Sequence, residues 1–180
     1  KLGLVEAKKG IGYPTIFTWI DGYIKERTDA KVGTITAMKQ AAENLYDFIG
    51  KTVLINDFTQ HDAEKFRTYL LNKGLAESTT RRRCKYAKQF FAQSIKARII
   101  STNPFDSIPV AGRVNTGRRQ FISRNDIQKI ISACPNPQWR LIFVLARYGG
   151  IRIPSELFEL TWDDILWDQK RFIVHSPKTE

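Results

Sequence analysis

Four successive segments between Pro14 and Ile100 repeat apolar residues every three or four positions, a spacing that points to a bundle of amphipathic helices. In PTIFTWIDGYIKERT the apolar side is Ile16, Trp19, Ile20 and Tyr23, after a start at Pro14 and Thr15. TITAMKQAAENLYDFIG carries Ile35, Met38, Ala42, Leu45, Phe48 and Ile49 and stops at Gly50. TQHDAEKFRTYLLNKG offers Thr59 as a cap, acids near its start and Gly74 as its stop. The fourth segment, STTRRRCKYAKQFFAQSIKARII, is expected to begin at the capping residues Ser78 and Thr79. At about 100° per residue, Cys84, Ala87, Phe91, Ser94 and Ile95 fall on one face, its predicted core side. Hydrophobic residues make up 42% of the 180 and aromatics 12%, enough to build a core and to argue against global disorder.

The charge is unevenly spread. Lys and Arg number 29 against 18 Asp and Glu, a net +11, and the pI is near 9.8. Between Ser78 and Asn125 there are 11 basic residues and one acid, Asp106, so this stretch holds nearly the whole excess. On the fourth segment Arg81, Lys85, Lys88 and Lys96 form a stripe beside the core face. Such a stripe is either a solvated surface or a footprint for a polyanion, with nucleic acid ahead of an acidic membrane. No apolar run reaches the roughly 20 residues of a membrane span, and the first residues lack the apolar core of a secretion signal. Cys84 and Cys134 are far apart with no metal-type spacing, and His61 and His175 have no ligand partners at helical spacing. The expectation is therefore no metal, no cofactor, no membrane partner and a reducing, cytoplasmic setting.

STNPFDSIPVAGRVNTGRRQ breaks the periodicity with prolines and glycines, marking a boundary. The expected organisation is a tail over 1–13, a helical domain over 14–107, a linker over 108–120 and a second domain over 121–180. In the second domain FISRNDIQKIISAC reads as a helix capped by Ser123, with Ile127, Ile130 and Ile131 on its apolar face. The run LIFVLA is apolar around its circumference and predicts a central, buried helix stopped by Gly149 and Gly150. PSELFEL is expected to form a short helix from Pro154 or Ser155, followed by a β-hairpin of DILWD and RFIVH turning at Gln169 and Lys170. A lone strand pair ordinarily needs a further partner, so this second domain is expected to be cut short.

Arg152 stands between the two apolar segments in GGIRIPSE, beside what is expected to be a helix start. Its planar fork suits two oxygens of one phosphate, with Glu156 one turn on to orient it. The alternative is an internal Arg152–Glu156 pair that only ties two segments together. Lys178, after the hairpin, is either a general acid for a leaving oxygen or a solvated turn residue. Asp163, Asp164 and Asp168 raise the separate possibility of a metal-dependent nuclease, although their spacing suits turn and strand positions better than a convergent cluster.

LARYGGIRIPSELFELTWDDI, taken with FIVHSPKTE, resembles the signature of the tyrosine recombinases, the phage-integrase family. STTRRRCKYAKQFFAQSIKARIISTNPFDSI resembles the last helix and exit of that family's core-binding domain, and FISRNDIQKII its first catalytic-domain helix. The resemblance runs from about Pro14 to Glu180. It implies a mainly α protein: a four-helix SAM-like core-binding domain, then a truncated α+β catalytic domain with a β-hairpin. It implies that Arg152 binds the scissile phosphate, Lys178 protonates the leaving 5′ oxygen and Glu156 supports the arginine. The family usually places that acid three residues after the arginine, whereas here it is four. Residues expected at double-stranded DNA are Thr79, Thr80, Arg81, Arg82, Lys85, Lys88, Arg118 and Arg119. The family's later His-x-x-Arg motif and its nucleophilic tyrosine have no match before Glu180, and the six tyrosines present all precede Arg152. The expectation is a chain that binds DNA without cutting it, from a bacterial or phage recombinase that oligomerises on DNA at the nucleoid. The competing reading is a non-enzymatic, sequence-specific DNA-binding regulator with its basic helix in the major groove.

Overall fold

The structure is a computed structural model that describes residues 12–111, 117 and 120–176. Its contacts divide the chain into two units, 1–114 and 115–180.

The first unit is built from α1 (Ile16–Glu26), α2 (Val32–Ile49), α3 (Gln60–Asn72) and α4 (Glu77–Lys96). Local chemistry sets most of the boundaries. The Thr15 hydroxyl accepts the Thr18 N–H, while Thr59 and Asp62 close a reciprocal capping box at α3. Helix α2 ends at Gly50, whose φ of 84° is in the left-handed region. Helix α4 departs from expectation. It starts at Glu77 with Ala76 as its cap, so Ser78 and Thr79 lie inside the first turn. Its register follows its core side, where Thr80 joins Cys84, Ala87, Phe90, Phe91 and Ser94 in the interior.

The core of this unit is rich in phenylalanine. Phe58, Phe66, Phe91 and Phe105 pack ring against ring, with centroids 5.0 to 6.0 Å apart. Phe105 arrives from the exit after α4, and the preceding Asn103 brings it there. The Asn103 side-chain amide donates to the Lys88 carbonyl at 2.9 Å and its oxygen accepts the Phe105 N–H at 3.0 Å. Thus the NPF motif folds the exit back onto α4. Ile108 is also in the core and Val110 packs against it, so the first residues assigned to the linker belong to the bundle.

In the second unit α5 (Arg124–Ala133) is capped by Ser123 and α6 (Pro137–Val144) by Asn136. Helix α6 runs into a π turn, Leu145–Gly149, and stops at Gly150 in the left-handed region. The expectation of a buried central helix is not met, since α6 has no buried residue and Leu141 is exposed. A helix apolar on all sides needs cover on all sides, and α5 is the unit's only other α-helix among the described residues. The short helix expected from Pro154 is absent too. Residues 153–159 form successive turns, in which the Arg152 carbonyl accepts the N–H of both Glu156 and Leu157. So short a segment needs a packed face to become helical, and Phe158 is exposed.

The hairpin is present, though brief. Strands β1 (Ile165–Leu166) and β2 (Arg171–Phe172) pair antiparallel, Ile165 opposite Phe172 and Leu166 opposite Arg171. A 3-10 turn over Trp167–Gln169 joins them, with Lys170 at φ 50°. The hairpin meets the end of the preceding helix at Gly149, where an added Cβ would lie 2.8 Å from the Phe172 ring.

Candidate functional site

Arg152 and Glu156 form one tightly bonded cluster with Ser176, a residue the sequence did not single out. Glu156 is 6% exposed, and both its oxygens are occupied. Oε2 accepts the Arg152 backbone N–H at 2.8 Å. Oε1 accepts Arg152 Nη1 at 2.5 Å and the Ser176 hydroxyl at 2.7 Å, and Nη1 also donates to Ser176 Oγ at 2.8 Å. Foremost the Arg152 N–H, then the Ser176 hydroxyl, hold the Glu156 carboxyl below its ordinary range, so it is a carboxylate at neutral pH.

The consequence for Arg152 lies in which donors remain. Nη1 is engaged, while Nε and Nη2 have no hydrogen-bond partner among the described residues, and the side chain is 54% exposed. Nε–H and the adjacent Nη2–H form the side edge of the guanidinium, a fork that matches two oxygens of one phosphate. The pairing with Glu156 and an open edge for an external anion therefore coexist. The two readings of Arg152 left open by the sequence are compatible.

Beside this cluster, His175 Nε2 lies 2.7 Å from Asp164 Oδ1. Asp164 is buried, and its other oxygen accepts the N–H and hydroxyl of Thr161. The Thr161 N–H first, and His175 next, hold the Asp164 carboxyl below its ordinary range. Asp164 is thus committed to the hairpin, and no group of three metal-type side chains occurs among the described residues. Sequence reasoning missed the His175–Asp164 contact because the partners are 11 positions apart with no local pattern. Lys178 lies outside the described residues.

The basic residues of α4 divide into two classes. Arg81 donates from Nε to Glu77 at 2.8 Å and from Nη1 to the Ala111 carbonyl at 3.2 Å, and Lys88 pairs with Asp106 at 3.0 Å. Lys85 is exposed with no ion pair among the described residues, and Arg82 is exposed with its guanidinium over the Tyr86 ring. Thr79 is half-buried. The expectation that Thr80 touches DNA is corrected: it has no accessible surface, and its Oγ1 is buried without a partner, so its side chain has nothing to offer a phosphate. Arg83 is spent internally: it reaches Gln40 and the Ala37 carbonyl on α2. Arg118 and Arg119 lie outside the described residues. No helix among the described residues is long and apolar enough to cross a membrane.

A family model described as the phage integrase SAM-like domain matches residues 15–113, more than half of the chain. The chain belongs to this family. Among curated proteins no sequence matches it. The integrase fold extends beyond the SAM-like domain in solved structures. A lambda integrase tetramer bound to a Holliday junction superposes with a TM-score of 0.78 at 21% identity, covering 92% of this chain and 48% of that one. A lambda integrase dimer bound to a COC′ core site gives 0.76 at 20% identity, covering 92% and 46%. The Tn1549 transposon integrase in complex with circular intermediate DNA gives 0.73 at 21% identity, covering 90% and 54%. At such identities the likeness is one of fold. The integrase-like chain spans about half the length of these solved relatives.

Proposed function

We propose that these 180 residues are the DNA-gripping part of a site-specific tyrosine recombinase. The SAM-like domain holds duplex DNA through α4, and the second unit presents Arg152 to the phosphate at which strands are exchanged. The observation that carries this reading is the Arg152 guanidinium, tied at Nη1 to Glu156 and Ser176 with its Nε–Nη2 edge open. Arg152 grips the non-bridging oxygens and stabilises their charge as the phosphate is attacked. Glu156 holds the arginine, and Lys178 delivers a proton to the leaving 5′ oxygen. The attacking group in this chemistry is a tyrosine, which forms a 3′-phosphotyrosine and frees a 5′ hydroxyl. None of the six tyrosines follows Arg152, so the contribution of these residues is to bind and position, without cutting. The bound forms of lambda integrase, a dimer on a core site and a tetramer on a junction, support assembly of several copies on DNA. For a bacterial or phage recombinase that assembly takes place in the cytoplasm.

The test compares binding of a labelled duplex by wild type, Arg152→Ala and Arg152→Lys across a salt series. Removing the cation that neutralises one phosphate lowers the log–log salt slope by about 0.9. Arg152→Ala should show that reduction. Arg152→Lys should keep the slope and weaken affinity, since charge remains while the fork goes. A DNA-binding regulator using α4 alone predicts wild-type behaviour from both variants, and that result refutes the proposal.

A further inference from the structure

Ser176 has a place in this arrangement that neither the family match nor the sequence motif assigns. Its hydroxyl closes a three-membered ring of hydrogen bonds with Arg152 Nη1 and Glu156 Oε1, at 2.8 and 2.7 Å. Nη1 thus bonds two acceptors, the carboxylate and the hydroxyl, which are also bonded to each other. A guanidinium fixed through a single bond can swing about that bond. Fixed through two bonds from one nitrogen, it has a set plane. The edge left over, Nε and Nη2, is thereby held at one angle.

The backbone that carries Ser176 is itself held. One residue earlier, His175 bonds Asp164, whose second oxygen is occupied by Thr161. The Ile173 N–H donates to the Asp164 carbonyl at 2.9 Å. His175 thus ties the strand exit to Asp164 while its neighbour Ser176 reaches the arginine.

We infer that Ser176 is a positioning residue for Arg152: it sets the plane of the guanidinium so that the Nε–Nη2 edge meets a DNA phosphate. The inference rests on the reading of Arg152 as a phosphate ligand, and the experiment separates the two. Ser176→Ala removes the hydroxyl, Ser176→Thr keeps it, and the pair Ser176→Thr and Ser176→Val compares near-isosteric side chains with and without it should the alanine variant fold poorly. Two readouts are taken on the whole chain. In the absence of DNA, nitrogen-detected NMR of the Arg152 guanidinium reports rotation about its C–N bonds. With a labelled duplex, anisotropy reports affinity.

Loss of the hydroxyl should merge the separate Arg152 Nη signals and weaken duplex binding about three- to ten-fold, the share of one hydrogen bond. Threonine should restore both. Unchanged NMR signals in Ser176→Ala and Ser176→Val overturn the positioning role. So does unchanged affinity in variants where Arg152→Ala still weakens binding. If the NMR signals merge while neither Arg152→Ala nor Ser176→Ala alters duplex binding, Ser176 positions the arginine and the proposed phosphate contact is what fails.

Discussion

Replacing Lys85 with alanine should cost DNA binding more of its salt dependence than replacing Arg81 or Lys88, although all three lie on one helix. The difference comes from what each cation already holds. Lys85 is exposed and forms no ion pair among the described residues, so on reaching a phosphate it releases a condensed counterion in full. Arg81 must first leave Glu77 and the Ala111 carbonyl, and Lys88 must leave Asp106. A cation already neutralised by a protein carboxylate displaces fewer counterions. The expected change in slope is about 0.9 for Lys85→Ala, which amounts to about 3.5-fold in affinity between 50 and 200 mM salt. Each of Arg81→Ala and Lys88→Ala should give well under that, and the triple variant should fall far short of three full contacts. Fluorescence anisotropy of a labelled duplex over a salt series measures all four slopes. Equal changes for the three single variants, or none for Lys85→Ala, would refute the reasoning from internal pairing.

Two other outcomes follow from the core packing and the buried carboxylates. Phe105→Ala, which empties the centre of the ring cluster, should destabilise the first unit by about 3–5 kcal/mol in urea unfolding; a loss under about 1 kcal/mol would mean that the exit segment is not part of the core. Glu156 and Asp164 both have folded-state pKa values depressed below their unfolded ones. Their stabilisation is therefore complete above about pH 5 and is lost as pH falls through the unfolded and then the folded values. Trp162 and Trp167, stacked with centroids 6.5 Å apart near the hairpin, should report this as an acid transition in tryptophan fluorescence that Asp164→Asn reduces. A wild-type signal flat down to about pH 2 would contradict it.

Where local chemistry decides the structure, the sequence was legible. Thr59 and Ser123 cap the helices they were expected to cap, the first helix starts after Thr15, and Gly50 and Gly150 stop theirs. The signals failed where a distant contact overrides a local preference. Ser78 and Thr79 are good capping types, yet Thr80 goes into the core and carries the helix start back to Glu77. Apolar periodicity states that LIFVLA is apolar on every side, but not whether anything covers it. The candidate site shows the same division. GGIRIPSE gave Arg152 and Glu156 because they are one turn apart, whereas Ser176 is joined to them across 24 and 20 positions.

The two glycines before Arg152 have separate duties, and the second duty bears on how this site can vary. Gly150 supplies a left-handed turn. Gly149 supplies room: the Phe172 ring occupies the volume that any side chain there would fill. The helix end and the hairpin are therefore spaced by a hydrogen atom, the smallest shim a protein can use. Arg152 hangs from one of these pieces and Ser176 from the other, so the closing of their hydrogen-bonded ring depends on that gap. A methyl group at position 149 would need no contact with DNA, or with Arg152 itself, to detune the arginine. Substitutions at this glycine should be matched by a smaller residue at 172, and the two positions should change together or not at all.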